Sequence, residues 1–159
     1  DQADDPVRAA YPRVVDRHDE LGPAAGLLAA FAARPAHAWL VLAIDLPLLD
    51  RATLDGLLAA RDPARLATAY ASAHDGLPEP LCAIWEPGAH EPLRAFVAGG
   101  RSCPRKFLLT HAAKLVPLAA PAALDNVNTP EEYAEVRARL AGERPAARPA
   151  ATTEAAEPR

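Results

Sequence analysis

Methionine is absent from all 159 residues, so the chain carries no initiator and opens in mid-pattern at Asp1. A piece of a longer protein is the expectation. Aromatic residues are scarce, at 5%, so a core must come mainly from the alanines and leucines that make the chain half hydrophobic. No apolar run reaches the length of a membrane-spanning helix, and no signal peptide opens the chain. Cysteine occurs twice, at Cys82 and Cys103. Two cysteines cannot build a disulfide framework or a zinc site by themselves, and free thiols in a reducing cytoplasm are expected. Positive charge is too thin for a basic stripe. The net charge of −4 argues against a general nucleic-acid binder. Neither a nucleophile elbow, nor a Walker loop, nor an intact G-x-G-x-x-G occurs. The five histidines, His18, His37, His74, His90 and His111, are scattered without helical pairing, which suits surface or loop positions better than a metal set.

What is present is an alternation of strand-like and helix-like stretches over the length of one domain. "YPRVVD" (11–16) reads as a short strand closed by Asp16. "GPAAGLLAAFAA" (22–33) starts on glycine and becomes a helix ended near Pro35. "HAWLVLAID" (37–45) is a continuous apolar run, as in a strand buried on both faces of a parallel sheet. A helix follows over 50–62 with Asp50 as N-cap. Strands are expected at 65–72 and 80–87, helices at 89–100 and 103–111, and a last strand at 114–119. Thr129, Pro130 and Glu132 form a capping-box start for a helix over 130–141, where Tyr133, Val136 and Leu140 make an apolar stripe. The expected fold class is α/β, a mostly parallel sheet with helices on both faces. Residues 1–141 would be the domain, and the Pro/Ala-rich stretch 142–159 a disordered tail.

In such folds ligands sit at the C-terminal ends of strands, so residues following strands carry the most information. Asp45 closes the most apolar stretch, and Pro47 fixes the backbone just beyond it. Burying an unpaired carboxylate there would cost several kcal/mol in practice. Two roles stay open. It could cap a turn through its own backbone, or bind a hard cation such as Mg²⁺ together with substrate phosphates. Gly22 to Gly26 is either a simple loop and helix start or a place where backbone amides approach a ligand closely. Asn126 and Asn128 bracket Val127. In an extended segment both amides would point one way and Val127 the other. They could satisfy local backbone groups or hold an outside partner.

The stretches "VVDRHDELGPAAGLLAAF", "WLVLAIDLPLLD", "LPEPLCAIWEP" and "LDNVNTPEEY", in that order, resemble the MobA-like nucleotidyltransferases over roughly residues 11 to 141. The Asp-x-Pro after a hydrophobic strand, combined with N-x-N-T-P-E-E, is the specific part. The resemblance implies a Rossmann-like nucleotidyltransferase fold and transfer of GMP from GTP to the phosphate of molybdopterin, with pyrophosphate released. It implies that Asp45 is catalytic and binds Mg²⁺. Asp16, Gly22, Pro23 and Gly26 would help bind the nucleotide. Asn126 and Asn128 would face the acceptor. Ala24 stands where the family's G-P-L-A-G has leucine, which touches only local packing. The family's glycine-rich L-A-G-G-x-S-x-R-M-G-x-D-K segment, whose Lys and Arg contact phosphates, is not in this sequence. The chain is therefore expected to match the C-terminal two-thirds of such an enzyme and to be inactive alone. CTP or a sugar phosphate as substrate, or a non-catalytic module binding cofactor or partner, are the alternatives. A molybdoenzyme or another cofactor-biosynthesis protein is an expected partner. Membranes and nucleic acids are not, and a cytoplasmic location is.

Overall fold

Proline at the first helical position costs nothing, because its missing N–H would have no partner there. Three helices begin in this way. In the computed structural model, which describes residues 10–16 and 18–142, they are α1 (Pro23–Ala33), α4 (Pro104–Thr110) and α5 (Pro130–Leu140). The other two are α2 (Arg51–Ala59) and α3 (His90–Ala98). Asp50 caps α2 as its sequence suggested, accepting from the Thr53 amide at 2.8 Å and the Thr53 hydroxyl at 2.7 Å. The strands are β1 (Trp39–Leu42), β2 (Ala67–Ala71), β3 (Pro78–Trp85) and β4 (Ala113–Pro117).

They form one sheet in the order β1-β3-β2-β4. The α/β class stands, with a refinement of strand direction. β1, β2 and β4 run the same way. β3 lies reversed between β1 and β2, so β1–β3 and β2–β3 pair antiparallel and only β2–β4 pairs parallel. The cause is the short connection around Gly76. It returns the chain beside β2 as a hairpin, whereas a parallel neighbour would need a long crossover. Pro80 is tolerated inside β3 because the β2–β3 register slips between Ala69 and Ala71, and prolines in sheets are confined to such irregularities or edges.

Both faces of the sheet are covered. On one, Trp85, Ala83, Ala67 and Ala69 pack under Leu27 and Phe31 of α1, Leu93 and Phe96 of α3, and Phe107 of α4. On the other, Tyr70, Cys82 and Ile84 pack against Leu57 of α2. The Tyr70 hydroxyl donates to the Thr53 carbonyl at 2.6 Å, which ties α2 to the sheet.

Three expectations need correction. Residues 11–16 form no strand. Tyr11, Val14 and Val15 are exposed, and no described strand offers them a ladder. The 37–45 run is not buried on both faces. Only Trp39–Leu42 is strand, and it sits at the sheet edge with Leu40 and Leu42 partly exposed and Ile44 93% exposed. The α5 stripe forms a helix but not a core contact, since Tyr133 and Leu140 are exposed and nothing on α5 is buried. The expected tail after Gly142 lies outside the described residues. Among the described residues, no helix is long and apolar enough to cross a membrane.

Candidate active site

The chain leaves β1 at Leu42, and the Ala43 amide still reaches the Leu81 carbonyl of β3 at 2.7 Å. It then turns at Asp45. The Asp45 carbonyl accepts from the Val127 amide at 3.1 Å. That one backbone hydrogen bond joins two stretches that sequence reasoning singled out separately. Asp45 and Asn126 therefore line the same cavity, of about 350 Å³, with Ser72, His74, Asp75, Glu79 and Arg105 among its walls. Val127 is half-buried, while Asn126 and Asn128 are exposed. Asn126 lines the cavity and Asn128 is not among its lining residues. The Asn128 backbone N–H donates to Glu132 Oε2 at 2.8 Å, at the start of α5.

Among the described residues, the Asp45 carboxylate takes part in no hydrogen bond or ion pair. Its neighbours differ. Asp75 Oδ1 accepts from the Leu77 amide at 3.0 Å, and Asp75 Oδ2 takes an Arg105 N–H at 3.2 Å. The Leu77 amide first, and Arg105 after it, hold the Asp75 carboxyl below the ordinary aspartate value. Glu79 Oε2 accepts from Arg105 at 2.9 Å. His74 Nε2 meets Asp125 Oδ1 at 2.9 Å. Cys82 also lines the cavity, but burial pushes its thiol up to about 11, which keeps it protonated and unreactive. Cys82 and Cys103 are both free thiols.

No cluster of three or more His, Cys, Asp or Glu side chains among the described residues could enclose a metal ion. A closed zinc-type cage is thus not built among the described residues. A lone unpaired carboxylate in an open cavity has the donor set that suits Mg²⁺, which usually takes one or two protein carboxylates and completes its shell with water and substrate phosphates.

A second cavity, of about 400 Å³, lies beside the first and shares Pro80, Leu81 and Arg105 with it. Gly22 and Pro23 line it at the N-terminus of α1. Gly22 has φ +54°, a conformation that favours glycine, and this lets the chain swing from the preceding 3₁₀ turn into the helix. Gly26 lies within α1 and faces open space. Asp16 is exposed and lines neither cavity. The structure thus gathers Asp45 and Asn126 in one cavity and Gly22 and Pro23 in its neighbour. Asp16, Gly26 and Asn128 stand apart. Sequence reasoning missed Arg105, Asp75, Glu79, His74 and Asp125, because their pairings span 26 to 51 residues. The one available signal was the Asp75-Gly76 turn.

The sequence profile of the MobA-like NTP transferase domain matches residues 2–115. Molybdenum cofactor guanylyltransferase from Pseudomonas aeruginosa is 40% identical over 136 residues, covering 81% of this chain and 67% of that protein. A molybdenum cofactor biosynthesis bifunctional protein from Synechocystis is 31% identical over 125 residues, covering 79% of this chain and 36% of that one. The chain thus spans about one third to two thirds of these relatives' lengths. Molybdopterin-guanine dinucleotide biosynthesis protein A from Archaeoglobus fulgidus superposes with a TM-score of 0.71 at 21% identity, covering 89% of this chain and 74% of that one, which shows a shared fold.

Proposed function

The chain belongs to the MobA-like NTP transferase domain family, and from that premise we propose that its two adjoining cavities serve transfer of GMP from GTP to the phosphate of molybdopterin. A nucleotidyltransferase is what the family and the curated relatives support. The guanine nucleotide and the molybdopterin acceptor are the finer part of the proposal. The observation that carries it is Asp45. Among the described residues its carboxylate has no partner in the cavity, yet its backbone is fixed by Val127, beside Asn126.

In the reaction an acceptor phosphate oxygen attacks the α-phosphorus of GTP. A new P–O bond forms, the bond from the α-phosphorus to the bridging oxygen breaks, and pyrophosphate leaves with the electron pair. The attacking oxygen is already ionised, so no strong general base is required. Positioning and charge neutralisation then carry the catalysis. Asp45 would hold Mg²⁺, which supplies charge neutralisation to the phosphates when bound. Asn126 would orient the acceptor with an amide that both donates and accepts. Gly22 and Pro23 would set the start of α1 toward the nucleotide, where a helix N-terminus favours negative charge.

Asp45→Asn in the full-length protein is the test, with GMP transfer and thermal unfolding measured side by side. Transfer should fall about 100-fold or more, corresponding to the several kcal/mol that such a metal contributes, while the unfolding temperature stays put. Near-normal transfer at saturating Mg²⁺ would refute the metal role.

A further inference from the structure

We propose that His74, held by Asp125, binds the phosphate monoester of the acceptor, an inference that rests on reading the Asp45–Asn126 cavity as the acceptor half of the site. The pair is non-local. His74 sits in the turn between β2 and β3, and Asp125 immediately precedes Asn126. Both residues line the cavity, and their side chains meet at 2.9 Å.

Charge explains why an imidazole is needed there. The cavity is lined by four carboxylates, Asp45, Asp75, Glu79 and Asp125, against one guanidinium and one imidazole. A phosphate entering such a field is repelled unless positive charge faces it. Arg105 is already committed to Asp75 and Glu79. His74 is the remaining cationic candidate among the described lining residues.

Orientation is set as well. With Nε2–H donating to Asp125, the Nδ1 side of the ring has no partner among the described residues. An imidazolium so placed donates Nε2–H to Asp125 and Nδ1–H to an incoming phosphate oxygen, a charge-assisted hydrogen bond. The turn beneath is fixed independently. The Gly76 amide donates to the Ser72 carbonyl at 2.9 Å, and the Leu77 amide to Asp75. Gly76 takes φ +71°. The His74 and Asp125 side chains are 77% and 44% exposed, and an exposed pair of this kind adds little to stability. Substituting either residue should leave the fold alone.

The test uses phenyl phosphate as a phosphomonoester probe on the full-length protein with ¹⁵N-labelled histidine, and Mg²⁺–GTP titrated separately. Phenyl phosphate should bind and move the His74 ring nitrogens to the doubly protonated signature. His74→Ala should weaken phenyl phosphate at least fivefold with an unchanged unfolding temperature and unchanged Mg²⁺–GTP affinity. Asp125→Asn should weaken it less and alter the ring signature, as expected of a residue that acts through the imidazole. Equal affinity in wild type and His74→Ala, or no binding by the wild type, overturns the proposal. Loss of the transferase reading looks different: Asp45→Asn would be without effect on transfer while phenyl phosphate still reports on His74.

Discussion

Phe107 shows what one side chain contributes here. It is fully buried, its ring stacks 4.0 Å from His111, and Phe96 meets it edge-on at 5.5 Å. Truncating it would open a cavity between Trp85, Phe96 and His111. Phe107→Ala should therefore cost about 3–5 kcal/mol, read as a lowered urea midpoint at unchanged slope. The burial of Glu86 leads to a second expectation. Its carboxylate is 4% exposed and accepts from Arg61 at 2.6 and 2.8 Å. Arg61→Met should destabilise more than Glu86→Gln, because only the former strands a buried charge. At this scale the site was partly legible. Asp45 announced itself as an acid ending an apolar run before a proline, which is a local pattern. Arg105 and His74 announced nothing. Their roles are made by partners 26 to 51 residues away, and local sequence carries no trace of such distances.

Helix starts were the most readable elements, because a cap is a contract between residues three apart. In α5 the Thr129 hydroxyl accepts from the Glu132 amide at 3.2 Å, and Glu132 Oε2 returns to the Thr129 amide at 3.1 Å. The Asn128 amide foremost, and the Thr129 amide next, hold the Glu132 carboxyl below its ordinary value of 4.5. A carboxyl lowered by folding stabilises above its unfolded value and loses that contribution as pH falls through the folded one. Helicity at 222 nm should therefore decline as pH drops below about 4.5, and Glu132→Gln should flatten that part of the profile. Strands were less readable. The 37–45 run has the composition of a strand buried on both faces, yet among the described strands β1 lies at the edge with one neighbour. The 11–16 stretch reads as a short strand closed by an acid and finds no ladder among the described strands. Whether an apolar residue is buried depends on what lies beside it, and that is a property of topology. The reversed β3 likewise follows from the tight turn at Gly76 more than from anything in β3 itself.

Across the whole molecule, the sheet ends on one side at β1, which pairs only with β3 among the described strands. Unpaired backbone groups beside Leu40, Leu42 and Ile44 make a template for another strand. The chain should self-associate with rising concentration, and Ile44→Lys should reduce the association measured by light scattering without lowering the unfolding temperature. An unchanged scattering profile would place the contact elsewhere. The same edge bears on spectroscopy. The sequence has two tryptophans, and they are direct cross-strand partners, Trp39 on β1 opposite Trp85 on β3. Trp85 is fully buried with its indole N–H on the Pro80 carbonyl, while Trp39 is partly exposed. Two indoles on directly paired residues in unequal surroundings should give an exciton couplet in circular dichroism and a composite emission band. Peeling β1 from β3 would abolish the couplet and red-shift only the Trp39 component, so the protein carries its own optical gauge of whether its outermost strand is docked.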